Sequence, residues 1–125
     1  AAAQVLQAKD QVIAEVFRRA EAQLAQLRGD RARYAGLLRA LLREAAAGLS
    51  GRLIVEAHPD DRDLVRQAAK ELGLDAEVVA AEDVQGGVRV ATADRRFIVE
   101  NTLRSRLERA RPVLATEVAA LLWGG

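Results

Sequence analysis

The 125-residue sequence has no cysteine, no methionine, one histidine, two prolines and four aromatic residues. Without cysteine there is nothing to indicate an oxidising compartment, and no secretory signal pattern is visible, so we expect a cytoplasmic protein. No apolar run approaches about 18 residues, so we expect no direct membrane insertion. Because the chain starts at Ala1 rather than at methionine, we expect a fragment of a longer protein.

Positive and negative charges are also nearly balanced. The net charge is +1, and half of the residues are apolar, which is typical of one globular domain. The segments 1–50, 51–84 and 85–125 nevertheless sum to +3, −5 and +3. A dedicated nucleic-acid binder usually has a larger excess of one sign, so this pattern favours electrostatic docking to a protein partner.

Residues 1–28 contain no glycine or proline and predict a helix about 40 Å long. Its apolar side chains share an arc of roughly 140°, with Lys9 near the centre. The helix is too long for the remaining small domain to cover, so we divide the chain into a projecting stalk helix, 1–28, and a globular α/β head, 29–125. We expect a partner helix to bind Val5, Leu6, Lys9, Val12, Ile13, Val16, Phe17 and Ala20. An ordinary core helix and self-association of the isolated chain as a homodimer both stay open.

The rest of the chain predicts alternating elements. Asp30 is placed to cap a second helix over 31–47, and strands are predicted at 52–57 and 76–80 with a helix between them. Gly86 and Gly87 precede a strand rather than a helix, so they predict entry into a β-hairpin and not a phosphate loop. A capped final helix follows, in which Pro112 is expected to cause a kink or a break. The fold class is therefore α+β: two helices, a four-stranded mixed sheet in the order strand-helix-strand-strand-strand, and a C-terminal helix.

The segment VEAHPDD resembles the AHPDD-E segment of zinc-dependent GlcNAc-type deacetylases. Here Arg62 follows the second aspartate in place of glutamate, and the chain has no second histidine to complete a catalytic zinc site, which needs three protein ligands. We therefore predict no metal, no cofactor and no catalytic residue. The residues suit the start of a helix instead. His58 ends the strand and Pro59 takes the first helical position. The positive end of the helix then faces the carboxylates of Asp60, Asp61 and Asp63.

Arginines are frequent in the last third of the chain. Those of the final helix, together with the single tryptophan, form a candidate docking surface for a larger assembly: Arg104, Arg106, Arg109, Arg111 and Trp123. The alternative is that these side chains are ordinary solvated surface. A nucleic-acid-binding module is a second functional hypothesis, and it would add Arg89, Arg95 and Arg96. Four aromatic residues offer little for base stacking, which argues against nucleic acid as a partner.

Three motifs, GGVRV, FIVENTLRSRLE and ALLWG, follow one another at spacings that resemble the E subunit of the V-type/A-type rotary ATPases. The resemblance is strongest over about 86–124, the C-terminal part of that protein. The matching positions are Gly86, Gly87, Ile98, Asn101, Thr102, Leu103, Arg106, Leu107, Leu122, Trp123 and Gly124. The family often has glycine at the position of Arg95, so we expect either Arg95 or Asp94 to take the left-handed turn conformation.

The resemblance implies a non-catalytic stator, or peripheral stalk, of a proton-translocating ATPase or ATP synthase. In that family the N-terminal helix pairs with the G subunit in a coiled coil, and the C-terminal head docks on a B subunit of the catalytic hexamer. It also implies a cytoplasmic location, peripheral to the cell membrane as part of the complex.

Overall fold

The computed structural model describes the backbone of residues 2–123 and the side chains of residues 7–121. The elements are helices α1 (Ala2–Arg28) and α2 (Arg31–Ala46), strand β1 (Leu53–Ala57), a 3-10 turn (Pro59–Asp61), helix α3 (Arg62–Glu71), strands β2 (Ala76–Ala80), β3 (Gly87–Thr92) and β4 (Ile98–Thr102), and helix α4 (Leu103–Trp123). The predicted α+β fold is confirmed. Within the described residues, none of the helices has the length and apolarity needed to cross a bilayer.

The four strands form one mixed sheet in the order β2-β1-β3-β4. β1 and β2 are parallel and are joined through α3, whereas β3 is antiparallel to both of its neighbours, β1 and β4. Val55 at the centre of β1 lies opposite Val78 and Val90, and all three side chains are buried. Because side chains alternate across a strand, this register gives the sheet one apolar face.

α2 and α3 supply the second layer over that face. Asp30 accepts a hydrogen bond from the Arg33 amide at 3.3 Å and so caps α2, as predicted. Apolar residues then recur three and four positions apart, which places Leu38 and Leu42 in the core with no exposed surface. Val65 of α3 is equally buried among them.

α1 and α4 form an antiparallel helix pair beside this domain. Arg104, near the start of α4, lies 3.5 Å from Glu21, while Arg111 lies over the ring of Phe17, so α1 residue numbers fall as α4 residue numbers rise. The C-terminal end of α1 contacts the domain itself, because Leu24 and Leu27 pack against its core.

Two glycines set the start of β3. Gly86 has φ +66°, a left-handed conformation that favours glycine, and a Cβ there would lie 2.6 Å from Leu24 Cδ2. At Gly87 a Cβ would lie 2.6 Å from Thr102 Cα, so the close approach of β4 leaves no room for a side chain. The predicted role of both glycines in entering the sheet is confirmed.

Pro112 does not interrupt α4, which is assigned as one continuous helix from Leu103 to Trp123. The break considered from the sequence is therefore wrong. Proline removes one backbone donor and leaves the carbonyl of Glu108 without its usual helical partner. Pro112 and Glu108 both lie on the exposed side of the helix, where water can satisfy that carbonyl.

Candidate partner-binding site

The predicted stripe on α1 is partly covered by the chain's own α4. Ile13 is buried, Val16, Phe17 and Ala20 are half-buried, and Val12 keeps 38% of its surface exposed. Lys9 is half-buried. The side chains of Val5 and Leu6 lie outside the described residues. The sequence predicted that another helix must cover the stripe, and over Ile13 to Ala20 the neighbouring helix in this structure is α4.

Most apolar side chains on the two paired helices are only half-buried. The guanidinium of Arg111 lies 4.6 Å from the centroid of the Phe17 ring, a distance at which cation and ring attract. Arg104 and Glu21 form an exposed ion pair. Ile13 and Val118 are the only buried side chains on α1 and α4 within residues 7–121.

A groove of about 900 Å³ runs between the two helices near the head. Phe17, Leu24, Leu103 and Leu107 provide apolar lining, and charged side chains of both signs stand beside them. A groove that combines apolar side chains with charges of both signs suits a polypeptide segment better than a small polar ligand.

The four α4 arginines do not lie on one face of the helix. At 100° per residue, Arg104 and Arg111 lie within about 20° of each other and Arg106 and Arg109 lie on the opposite side. Arg106 donates to Glu44 Oε1 at 2.7 Å, and Arg109 donates to the Glu100 carbonyl at 3.3 Å and to Asn101 Oδ1 at 3.4 Å. The side chain of Trp123 lies outside the described residues.

These arginines therefore fasten α4 to the rest of the chain. Arg104 and Arg111 face α1, while Arg106 and Arg109 contact α2 and β4. Sequence spacing could not reveal this, because Glu21, Phe17 and Glu44 come from distant segments, although Arg111 also donates to Glu108 on its own helix at 3.2 Å. The docking role predicted for the set stays a prediction.

Arg89 of β3 is also engaged within the chain. It contacts Glu56 Oε2, donates to Asp83 Oδ2 at 2.9 Å and lies 3.6 Å from Glu100 Oε1. The hydrogen bond from Arg89 lowers the pKa of Asp83, and the same bond raises the pKa of Arg89. Among the arginines of the nucleic-acid hypothesis only Arg95 and Arg96 lack such a contact within residues 7–121, which weakens that hypothesis.

Arg95 and Arg96 lie in the turn between β3 and β4. Arg95 has φ +59°, so it takes the left-handed position that the sequence assigned either to it or to Asp94. Asp94 instead stabilises the turn, accepting from the Thr92 hydroxyl at 2.7 Å and from the Arg96 amide at 3.1 Å. The Thr92 hydrogen bond lowers the pKa of Asp94.

The HPDD segment builds a helix start, with one partner that the sequence did not indicate. His58 Nδ1 accepts from the Asp60 amide at 3.1 Å, and Pro59 begins the 3-10 turn, as the capping interpretation predicted. Asp61 is buried and accepts a 2.6 Å hydrogen bond from the Tyr34 hydroxyl. Across the described residues, no group of three or more His, Cys, Asp or Glu side chains is placed to hold a metal ion.

Tyr34 joins three helices at this point. Its ring is buried in the core cluster, its hydroxyl bonds Asp61 just before α3, and the Arg28 guanidinium at the end of α1 lies 5.8 Å from its ring centroid. Burial raises the pKa of Tyr34 to about 12, and the hydrogen bond to Asp61 adds to that effect. No sequence pattern paired Tyr34 with Asp61, because the two positions belong to separate motifs.

The described structure is an α+β domain flanked by an antiparallel helix pair, with a groove lined by apolar and charged side chains between the helices. The chain belongs to the ATP synthase (E/31 kDa) subunit family, whose model matches residues 1–123. The family resemblance deduced from the sequence is therefore confirmed.

Individual relatives agree with that assignment. The chain is 32% identical over 129 residues to the E subunit of the A-type ATP synthase of Methanothermobacter thermautotrophicus, covering 94% of this chain and 63% of the relative. It is 30% identical over 135 residues to the E 1 subunit of the V-type proton ATPase of Rattus norvegicus, covering 96% and 60%. The E subunit of the A-type ATP synthase of Staphylothermus marinus is 33% identical over 88 residues, covering 70% and 45%. The chain thus spans less than two thirds of the length of these relatives.

Proposed function

We propose that this chain is the C-terminal part of a non-catalytic stator subunit in the peripheral stalk of a V-type/A-type rotary proton-translocating ATPase or ATP synthase. The observation that carries the proposal, together with family membership, is the open groove of apolar and charged side chains beside the α1–α4 pair. A stator must transmit force between other subunits, and that task requires contact surfaces rather than a reaction centre.

The helix pair offers a place for a second chain. In this proposal a helical stalk chain like the G subunit packs along α1, against Val12 and the groove residues Phe17 and Leu24. Lys9 and the charged groove rim give such pairing selectivity, since polar groups in a helical seam disfavour the wrong register. The side chains of Val5 and Leu6 extend the same predicted face.

Load then passes from α1 into the head through packed side chains. Leu24 and Leu27 contact the domain core, and Tyr34 links the end of α1 to α2 and α3. The head in turn is proposed to dock on a B subunit of the catalytic hexamer. This places the chain on the cytoplasmic side, peripheral to the membrane.

The pairing is tested by mixing the chain with a purified helical chain of the G subunit type. We expect a complex on a sizing column and a rise in both helicity and melting temperature, because the partner covers apolar surface that is now exposed. A wild-type chain that elutes alone, or only as a homodimer, contradicts the proposal.

A pair of variants locates the contact. Val12→Glu places a charge on the proposed interface, whereas Gln11→Glu places the same charge on an exposed polar position on the opposite face of the same helix. We expect Val12→Glu to weaken the complex and Gln11→Glu to leave it unchanged. Equal affinity for both variants would move the partner away from this face of α1.

A further inference from the structure

The turn between β3 and β4 exposes two large apolar side chains in succession. Phe97 has 61% and Ile98 has 57% of its surface exposed. The other aromatic side chains within residues 7–121 are engaged, since Phe17 is covered by Arg111 and Tyr34 is buried. An exposed aromatic residue beside an exposed isoleucine is costly to leave in water and marks a contact surface.

Two arginines without ion-pair partners precede these side chains. Arg95 and Arg96 are exposed, and neither forms an ion pair among the described side chains. The arginines on the adjoining β3 and α4 each contact a carboxylate or carbonyl of the chain, so this turn stands out locally. Interface centres are enriched in aromatic residues and arginine, which is the composition found here.

The turn is also held in one conformation. Besides the bonds to Asp94, the Arg95 amide donates to the Thr92 carbonyl at 2.8 Å, and the Phe97 amide donates to Thr92 Oγ1 at 3.3 Å. Arg95 stays in the left-handed region, which is unfavourable for a residue with a side chain and persists only where the surroundings impose it. A preformed turn loses little entropy on binding.

We infer that Arg95–Ile98, here called the docking tip, inserts into an apolar recess rimmed by carboxylates on a neighbouring protein subunit. The two unneutralised guanidinium groups require acidic groups on that partner, and the two apolar side chains require a cavity to receive them. The inference rests on the proposed function, with the catalytic hexamer as the partner. It locates the anchoring of the head at the docking tip instead of at the α4 arginines.

The test measures the affinity of the chain for the purified catalytic hexamer of its parent enzyme. Phe97→Ser and Ile98→Ser are compared with Val113→Ser, which removes an apolar side chain of α4 that is 59% exposed. We expect each tip variant to bind about tenfold more weakly or worse, and Val113→Ser to bind like the wild type. All three sites are exposed, and circular dichroism checks that the variants fold.

The outcomes separate the two proposals. If the wild type binds and the tip variants bind equally well, the docking tip is refuted while the stator proposal stands. If only Val113→Ser weakens binding, the contact lies on α4 and the docking tip is again refuted. If the wild type does not bind the hexamer at all, head docking and the docking tip fail together, while pairing through α1 is judged by its own experiment.

Arg95→Gly provides a test in which stability and binding change in opposite directions. Glycine accepts the left-handed conformation without strain, so the variant is expected to melt at a higher temperature than the wild type. It also removes one guanidinium, so it is expected to bind the hexamer severalfold more weakly, with a shallower dependence on salt. Unchanged affinity and unchanged salt dependence would overturn the role of charge in the docking tip.

Discussion

Two parts of the molecule are held together in different ways: the α1–α4 pair, and the head without α4, which consists of the sheet with α2 and α3. In the head, Leu38, Leu42, Val55 and Val65 have no exposed surface and contact one another across two layers. In the helix pair most apolar side chains are only half-buried, and the polar contacts between the helices include an exposed ion pair and an arginine stacked on a ring. Buried apolar packing depends little on salt, whereas exposed ion pairs are weak and screened.

The comparison indicates where we expect most of the free energy of unfolding to lie. We expect the head to stay folded when the helix pair separates, because its core, as far as the described residues define it, includes little of α1 and none of α4. The pair is the part expected to open first and the part that a partner would stabilise most.

The largest effect is expected in the head core. Leu42→Ala should lower the free energy of unfolding by about 2–5 kcal/mol, because it removes apolar contacts and leaves a cavity. Leu107→Ala in α4 makes the same chemical change at a half-buried site and should cost clearly less. Denaturant unfolding monitored by circular dichroism measures both. Equal losses would remove the distinction between the two regions.

Alkaline pH tests the Tyr34 junction between α1 and the head. The pKa of Tyr34 rises from the ordinary 10.0 to about 12 on folding, chiefly because of burial. The stabilising contribution is therefore complete below pH 10 and is lost as the pH rises towards 12, amounting to at most about 3 kcal/mol. Unfolding curves from about pH 9 to 12 should show this loss in the wild type. A Tyr34→Phe protein with the same pH dependence would disprove it.

Two glycine substitutions should change the free energy of unfolding in opposite directions. Gly87→Ala forces a methyl group against the backbone of Asn101 and Thr102, so we expect a loss of about 1–3 kcal/mol. Gly36→Ala lies within α2 with no atom near the added carbon, so it should gain about 0.5–1 kcal/mol. The melting temperatures of the two variants are compared with that of the wild type. A Gly87→Ala protein as stable as the wild type would refute the close approach of β4 to β3.

The smallest effect is expected at the helix pair. Arg111→Gln removes the cation over Phe17 and should cost about 0.5–1 kcal/mol, with a greater loss of hydrogen-exchange protection in α1 and α4 than in the head. Arg18→Gln alters an exposed arginine paired within α1 and serves as the control. If Arg111→Gln reduced protection evenly over the whole chain, the pair and the head would form one cooperative unit.

Local pattern was sufficient for most of the fold. Asp30 and the alternating apolar residues of the strands placed the element boundaries close to those observed, because capping and periodicity depend on neighbouring residues. The packing of α4 along α1 was not predictable in this way. It depends on contacts such as Phe17 with Arg111, which join helices far apart in the sequence.

The candidate site shows the same limit. The spacing on α1 identified an apolar stripe, but it could not say that α4 covers part of it. The arginines of α4 suggested a docking face from composition alone, whereas their acceptors, such as Glu44 and Glu100, are fixed only by tertiary structure. The Tyr34–Asp61 hydrogen bond was missed for the same reason.

The antiparallel pairing of α1 with α4 has a consequence during protein synthesis. α4 is made only after α1 and every strand of the sheet, so it cannot cover the apolar stripe until α4 itself has been made. A partner chain present at that time would reach the bare stripe before α4 competes for it. Assembly on the nascent chain would then proceed faster than assembly from two finished proteins.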